Sequence, residues 1–475
     1  MTGRPSVPSS DRRLGGGSGD AVCPVTSRGE PDGTRAEGAE AADAAQPGGG
    51  RPAHKGGRER VRDGGAGHAR ARRRDRRVYL RAHPFLFALL AAGRGRPVRR
   101  IGRTVLVHGA DAYREVLTRL PLDRTAPGTT GGAARSAIGA GGDGSAASPG
   151  VLFDQDGGAH RALRRGLVRD LGTAGVEELR SLWRPLMERR LEPLAAGGTV
   201  DVVALTRELA GTVVCALLGS AASPSAVAAA AAEVAAVSVR SELPGPPRPG
   251  ARAAVARATD RLRQLLGGGG DTGGAPGGGP GWSRGPEGPE GTGSDGGDGS
   301  GGSGGSDEAL SAMVAVAAVN TSVAALPRAA AWCADAGLWE QAADDTLRRS
   351  LTGELLRVTA ASPLLPRVAA ADGAVGGCPV RSGDRLLLVA RHAVGAHTGD
   401  PDALHPAPPA VARLVFGAGP HTCPGAGLAG ALLEDLLAAL APYRPAVVRA
   451  RVDRGAALPS WRTLTLRATA SAVPR

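Results

Sequence analysis

One cysteine near the C-terminal end of the chain lies in a segment suited to binding a metal. The segment reads FGAGPHTCPGAGLA from Phe416, and its cysteine is Cys423. Glycines and prolines surround the cysteine, so the backbone can turn tightly and approach a large flat ligand. A thiol before a helix N-terminus has a lowered pKa, and its thiolate is a good soft ligand for iron, the alternative being an inert buried thiol. Such a helix is predicted here by leucines that recur every four residues, at Leu428, Leu432, Leu436 and Leu440.

The same segment resembles the cysteine loop of the cytochrome P450 family. It matches the pattern Phe-Gly-x-Gly-x-His-x-Cys-x-Gly at every fixed position. The resemblance implies a haem-thiolate enzyme with haem b as its cofactor and Cys423 as the axial ligand of the iron. It also implies that Phe416, Gly417 and Gly425 lie against the haem. In such enzymes thiolate donation favours cleavage of the O–O bond.

A second motif is the sequence ELLR that begins at Glu354. Glu354 and Arg357 are three residues apart, so their side chains share a helix face and can pair. Such spacing is common in helices, and a solvated ion pair is the alternative. Its position before Cys423 is typical of the family's ExxR motif. The resemblance implies a structural ion pair that fixes the core behind the haem.

Two cationic side chains suit the carboxylates of a haem. His160 and Arg164 stand at i and i+4, so they project from one side of a predicted helix. Donors in this arrangement can bind a propionate. The segment resembles the family's C-helix, and Arg367 and His421 match its other propionate contacts. Each of these residues, taken singly, is more often a surface charge.

The segment AAVNTS from Ala317 resembles the oxygen-activating part of the family's I-helix, with two departures. Ala318 stands where the family usually has glycine, and Asn320 stands where it has an acid. Thr321 remains. We interpret Thr321 and Asn320 as the catalytic residues, although a neutral amide cannot act as the usual acid. Proton delivery would then be slower or run through water; an ordinary buried helix is the alternative.

The elements that must position these residues are predominantly helical. Apolar periodicity predicts helices over most of 157–266, after residue 306, across the ELLR motif and after Cys423. A break or kink is predicted near Pro327. Short strand signals occur at 96–109, 363–392 and the C-terminus. The sequence therefore indicates a mainly α fold, and the resemblance implies a helical prism with small peripheral β-sheets.

Two segments have compositions that disfavour folding. Residues 1–78 are rich in Gly, Ala, Arg and Pro, and we predict a disordered Arg/Gly-rich arm there. Residues 267–306 are almost entirely Gly, Pro, Ser, Asp and Glu, and we predict a disordered insertion. The predicted haem domain covers 79–475 and is interrupted by that insertion. The net charge is +13, and much of the excess falls within 51–77.

Composition also bears on compartment and partners. The five scattered cysteines form no CxxC pair, which fits a reducing cytoplasm. No apolar run approaches the roughly 18 residues that span a bilayer, so no membrane partner is expected. No aromatic residue lies among the arginines of 51–77, so nucleic acid is not expected either.

The function implied is insertion of one oxygen atom from O2 into a small hydrophobic organic substrate, as in secondary metabolism. A ferredoxin-type donor with its reductase would supply electrons. Two alternatives stay open. One is an atypical haem-thiolate protein that is driven by peroxide, performs coupling or is not catalytic. The other is a non-enzymatic binder that acts through the Arg-rich arm.

Overall fold

The computed structural model describes residues 56–139, 152, 155, 157–242, 249–267 and 303–469. Helices dominate these residues, and the prediction of a mainly α fold is confirmed. The helices are α1 Gly56–Ala82, α2 Pro84–Gly93, α3 Ala110–Thr118, α4 Thr130–Gly139, α5 Gly157–Asp170, α6 Thr173–Ala195, α7 Val202–Leu218, α8 Pro224–Glu242, α9 Ala251–Gly267, α10 Ser303–Ala336, α11 Trp339–Ala343, α12 Asp345–Thr359, α13 Ala390–Ala393, α14 Pro409–Ala412 and α15 Ala426–Leu440.

The strands form three small sheets. They are β1 Val98–Ile101, β2 Thr104–Val107, β3 Leu122–Asp123, β4 Thr199–Asp201, β5 Leu365–Ala369, β6 Gly373–Val375, β7 Cys378–Val380, β8 Arg385–Leu388, β9 Ala446–Asp453 and β10 Ser460–Arg467. The largest sheet has the order β1-β2-β8-β5-β3 and is antiparallel except for the β2–β8 pair. The others are β4-β10-β9 and β6-β7, both antiparallel. Strand β5 of the five-stranded sheet carries Arg367.

Helix α10 runs through the middle of the helical core. It packs against α1, α7, α8, α9, α12 and α15. Alanine-rich faces let these helices approach closely; Ala315, Ala324 and Ala329 are each fully buried. The predicted break at Pro327 is wrong, because the helix continues to Ala336. Proline removes one backbone hydrogen bond, but packing on all sides of a buried helix offsets that cost.

A polar clamp fixes α15 against α6. Asp435 on α15 accepts hydrogen bonds from Trp183 Nε1 at 2.8 Å, Arg180 Nε at 3.1 Å and Arg184 Nη2 at 3.0 Å. Trp183 is fully buried. Charge-assisted bonds to a largely buried carboxylate are stronger than neutral ones. The clamp therefore sets the position of the helix that follows Cys423.

The predicted boundary near residue 78 falls inside helix α1, so ordered structure begins earlier than the composition indicated. Ala71, Asp75 and Val78 are buried on one face of that helix. Arg74 pairs with Asp335 of α10, its Nη2 lying 3.0 Å from Oδ1. The composition of α1 did not indicate this face, because only a narrow stripe of its residues is buried and arginines occupy many of the other positions. The remainder of the predicted arm, residues 1–55, lies outside the described residues.

The predicted insertion falls almost wholly outside the described residues. Helix α9 ends at Gly267 and α10 begins at Ser303. The helix that we expected to begin after Ser306 therefore starts at Ser303, so residues 303–306 and Gly267 are helical and the predicted insertion is too long at both ends. Residues 268–302 lie outside the described residues.

Two helices have the length and composition to cross a membrane, contrary to our expectation. They span Glu308–Ala336 and Ala426–Tyr443, and they coincide with most of α10 and with α15. Within the protein, 56% and 50% of their most apolar windows are buried. Core helices pass the same test, because a helix that is apolar all round is buried in protein as well as in lipid.

Three histidines cluster between β2 and α13. Nδ1 of His108 lies 2.8 Å from Nδ1 of His392, and the His392 and His397 rings are 4.9 Å apart. Burial is the main cause that lowers the pKa of His108 to about 4, and the charges of His397 and Arg99 act in the same direction. Burial is also the main cause that lowers the pKa of His392 to about 3, and the charges of His108 and His397 act in the same direction. Both imidazoles are therefore neutral near pH 7.

We expect the folded protein to lose stability as pH falls from 7 to 5. The folded-state pKa of both histidines lies below the unfolded value of about 6.5, so the unfolded chain binds protons first. The loss begins near pH 6.5 and continues toward the folded-state values near 4 and 3. Thermal unfolding at pH 7, 6 and 5 measures it. Replacing His108 with asparagine should flatten that profile, whereas replacing the exposed His405 with glutamine should not; equal profiles in both variants would contradict this account.

Candidate cysteine-loop site

The cysteine loop is held in a tight, defined turn. Cys423 N donates to Phe416 O at 2.8 Å, and Thr422 N donates to Gly419 O at 3.1 Å. Gly417 adopts φ +81°, which favours glycine. Gly419 adopts φ +72°, and a Cβ there would lie 2.9 Å from Leu117 O. Steric and conformational requirements thus account for two glycines of the motif.

The loop delivers Cys423 to the start of α15. The helix begins at Ala426 with Gly425 as its N-cap, three residues after the cysteine. All four leucines of the predicted stripe are buried, which confirms the predicted buried face of this helix. A Cβ on Gly425 would lie 3.9 Å from Cys423 Sγ, at van der Waals contact with the sulfur.

The sulfur of Cys423 faces open space although protein surrounds it. Among the cysteines of the described chain, Cys215, Cys333 and Cys378 are buried and Cys423 is exposed. Desolvation by the surrounding protein raises the pKa of Cys423, and it outweighs the lowering effects of the Gly425 N–H and the Arg164 charge. The expectation of a lowered pKa is therefore wrong for the thiol alone. A metal cation bound to the sulfur would reverse this, because coordination deprotonates a thiol outright.

Three of the residues matched to the propionate contacts meet beside this loop. The His160 and His421 rings are 3.9 Å apart and tilted by 30°. Arg164 Nη1 donates to Thr422 O at 2.6 Å, next to the cysteine. Helix α5 brings His160 and Arg164 there because the two residues share one of its faces. Charged and polar hydrogen-bond donors therefore lie beside the exposed Cys423.

Arg367 lies on β5 and is an unusually placed cation. Its Nη1 donates to Pro366 O at 2.8 Å and reaches Thr130 Oγ1 at 3.4 Å. Its Nε is buried and has no hydrogen-bond partner among the described residues. Desolvation lowers the pKa of Arg367 to about 10. A buried cation with an unsatisfied donor would gain from an anionic partner, and a carboxylate fits that requirement.

The two residues of the ExxR motif form a buried ion pair. Arg357 Nε donates to Glu354 Oε1 at 2.9 Å, and Nη2 donates to Oε2 at 2.6 Å. The same arginine donates to Val394 O at 3.2 Å and to Asp400 O at 3.2 Å. Ala407 N donates to Glu354 Oε1 at 3.0 Å. The pair thereby ties α12 to the irregular segment that leads to the cysteine loop, and it is remote from solvent.

The residues matched to the I-helix lie on α10. Thr321 Oγ1 donates to Ala317 O at 2.8 Å, one turn back along the helix. Asn320 Nδ2 donates to Val316 O at 2.7 Å and to Ala231 O on α8 at 3.2 Å. Asn320 therefore connects two helices, a role that sequence analysis did not assign to it. An amide suits this position, because both neighbouring groups are carbonyl acceptors.

Asn320 also lines a cavity that sequence analysis did not anticipate. The cavity has a volume of about 610 Å³ and lies between α7, α8, α10 and the β9–β10 hairpin. Its lining includes several charged side chains: Arg207, Glu233, Asp453, Arg454 and Arg462. No spacing along the sequence connects these residues, since four separate elements contribute them.

We expect the change of Asn320 to aspartate to destabilise the protein. A carboxylate would face two carbonyl oxygens and lose both hydrogen bonds, at a cost of about 1–3 kcal/mol. The melting temperature should fall by several degrees, more than in the Asn320→Ala variant, which loses the bonds without adding charge. A thermal shift assay at pH 7 measures both. An aspartate variant as stable as the unchanged protein would refute the linking role.

No family model matches this sequence, and no curated protein matches it. Solved structures do match over most of the described chain. CYP164A2 of Mycobacterium smegmatis in its ligand-free state has 20% identity and a TM-score of 0.61, with 82% of this chain and 97% of that chain covered. P450BioI, bound to an acyl carrier protein ligated with hexadec-9Z-enoic acid, has 16% identity and a TM-score of 0.60, with 82% and 100% covered. The open form of EryK from S. erythraea has 20% identity and a TM-score of 0.59, with 83% and 98% covered.

Proposed function

We propose, on the premise that the chain has the cytochrome P450 fold, that it is a haem-thiolate monooxygenase. It would insert one oxygen atom from O2 into a small hydrophobic organic substrate in the cytoplasm, as part of secondary metabolism. The observation that carries this proposal is the exposed Cys423 sulfur in a fixed turn at the start of α15. Cationic and imidazole groups beside that sulfur fit a ligand that carries carboxylates.

Haem b, when bound, would supply the iron that activates oxygen. Cys423 would hold that iron through its thiolate, and Gly425 would keep the approach to the sulfur clear. His160, Arg164 and His421 would bind a propionate near the loop. Arg367 would bind another, and its buried Nε would gain a partner.

Thr321 is the side chain best suited to hold a proton near the reaction centre. Its hydroxyl donates to Ala317 O, so the lone pairs of its oxygen can accept a hydrogen bond from water. Rotation of the hydroxyl would turn its hydrogen from Ala317 O toward the space beside the helix. Asn320 cannot relay that proton as an acid, and it stays bonded to α8. Water would therefore have to carry protons to Thr321.

A ferredoxin-type protein with its reductase would supply two electrons. Arg161 and Arg165 are exposed on α5, the helix that also carries Arg164 next to the cysteine loop. Exposed arginines close to the metal ligand would attract an acidic electron donor. Such a partner would dock on the side of the protein where α5 and the cysteine loop meet.

A second candidate is a peroxide-driven haem-thiolate enzyme. The observation in its favour is that Asn320 is occupied in linking α10 to α8, so the acid that normally serves oxygen activation is missing. Peroxide already carries the electrons and protons that O2 chemistry requires. Product formation with O2 plus reductase, compared with peroxide alone, separates the two candidates.

The optical spectrum of the reduced, carbon-monoxide-bound protein tests the haem-thiolate proposal directly. We expect a strongly red-shifted Soret band, because a thiolate ligand would donate charge to the iron. The full-length protein, supplemented with haem during expression, is the sample. A protein that binds no haem, or whose band lies at the position typical of histidine ligation, would overturn the proposal.

A further inference from the structure

Helix α2 has no polar side chain, yet most of it faces solvent. Its sequence is PFLFALLAAG, and only Leu90 and Gly93 are buried. Phe85 is 89% exposed and Leu89 is 56% exposed. The two residues lie four positions apart, so they project from the same face of the helix. A contiguous exposed apolar face of this kind marks an interaction site rather than a scattered surface residue.

The protein body holds this exposed face in place. Leu90 packs with Leu106 and Val389 in a small core of its own. The Phe87 ring meets the Tyr79 ring edge-on, with centroids 5.0 Å apart. Helix α2 is therefore anchored along one side, and the opposite side is presented to solvent.

Exposed arginines precede and follow the apolar helix: Arg76, Arg77, Arg81, Arg94 and Arg96. None of them forms an ion pair with another residue of the described chain. Arg81 precedes Phe85 by four residues, so their Cα atoms lie within about 14 Å of each other. Positive charge thus accumulates at both ends of the exposed apolar face.

We propose that α2 docks the protein peripherally on an anionic lipid surface. Phe85 and Leu89 would enter the boundary between headgroups and acyl chains, as the apolar face of an interfacial helix does. The flanking arginines would bind lipid phosphates while their stems stay near the apolar layer. This docking is independent of the proposed catalytic function, and it revises the expectation that no membrane takes part.

The length of α2 and the chemistry of its exposed side chains favour a lipid surface as the partner. Ten helical residues extend about 15 Å, half of a hydrocarbon core of about 30 Å, so α2 can lie on a bilayer but cannot cross it. An acidic protein or a nucleic acid would use the arginines without needing two exposed apolar side chains between them. Only a lipid surface offers phosphates and an apolar layer side by side.

Flotation of the full-length protein with vesicles tests the proposal. We expect binding to vesicles of 30% phosphatidylglycerol and 70% phosphatidylcholine, and at least tenfold weaker binding to pure phosphatidylcholine. The double variant Phe85→Ser with Leu89→Ser should bind the anionic vesicles at least tenfold more weakly. A variant with Arg76, Arg77 and Arg81 changed to glutamine should bind roughly a hundredfold more weakly, because each arginine near an anionic surface contributes about fivefold.

Matched variants elsewhere on the surface provide the controls. Leu182→Ser removes a leucine that is 46% exposed on α6. Changing Arg189, Arg252 and Arg257 to glutamine removes the same charge from other exposed positions. Both controls should bind like the unchanged protein, and circular dichroism should show that all variants are folded. Binding that survives the loss of Phe85 and Leu89, or that falls equally in the charge control, would overturn the proposal.

Discussion

Replacing Cys423 with alanine should abolish the red-shifted carbon-monoxide band and leave the protein folded. Cys423 is an exposed residue with a small side chain, so the free energy of unfolding without haem should change by less than about 0.5 kcal/mol. Loss of the thiolate removes the metal ligand itself, so the spectral effect is expected to be complete. The absorption spectrum of the reduced protein under carbon monoxide measures it, together with the haem content of each sample.

Cys378→Ala is the matched control for that variant. Cys378 also carries a thiol, but it is buried in β7, outside the cysteine loop. This variant should keep the red-shifted band in full, at the cost of a modest decrease in melting temperature. If the Cys423 variant kept the band, or if both variants lost it, Cys423 would not be the ligand.

Local signals in the sequence were sufficient for much of the fold and for the centre of the site. The cysteine loop combines glycine, proline and one cysteine with a leucine stripe, and each part has a local cause in the structure. Glycine spacing corresponds to positive φ angles at Gly417 and Gly419, and the leucine period corresponds to the buried face of α15. Glycine has a similar local effect at the end of α7, where Gly219 adopts the left-handed conformation with φ +63°.

Features that depend on distant partners could not be predicted in this way. Asn320 seemed to be a weakened acid, but its role depends on Ala231 O, which belongs to another helix. A break or kink was predicted near Pro327, but α10 continues past it to Ala336 among the surrounding helices. The pKa of Cys423 depends on desolvation by several elements, which outweighs the helix terminus that sequence analysis considered. In each case, contacts with distant parts of the chain outweighed what the local sequence favours.

The same reason explains why α1 was assigned to a disordered arm. Its composition is highly charged, and nothing local indicates that Asp75 is buried. In the structure, Arg328 Nε lies 2.7 Å from Asp75 Oδ1, and Arg391 Nη1 lies 3.2 Å from Asp75 Oδ2. Both guanidinium groups lie over the Tyr79 ring, with their central carbons 4.5 Å and 4.1 Å from its centroid. Helix α1 is therefore fastened to α10 and α13 by charges far apart in sequence.

Changing Asp75 to alanine should produce the largest loss of stability of any single substitution considered for this protein. Asp75 is 3% exposed and Arg328 is 1% exposed, so the substitution leaves a buried positive charge without its partner. Breaking a buried pair from one side costs about 3–5 kcal/mol. At about 1–2 °C per kcal/mol for a chain of this size, the melting temperature should fall by about 5 °C. Differential scanning calorimetry at pH 7 measures the change.

Two further variants separate lost charge pairing from lost packing. Asp111→Ala removes a fully exposed aspartate that pairs only with Arg114, so it should change the melting temperature by no more than about 2 °C. Adding Arg328→Met to the Asp75→Ala variant should recover much of the loss, because an apolar side chain of similar volume needs no counter-charge. If Asp75→Ala were as mild as Asp111→Ala, the contact between α1 and α10 would not depend on this ion pair. If the double variant recovered nothing, packing around Asp75 rather than the unpaired charge would account for the loss.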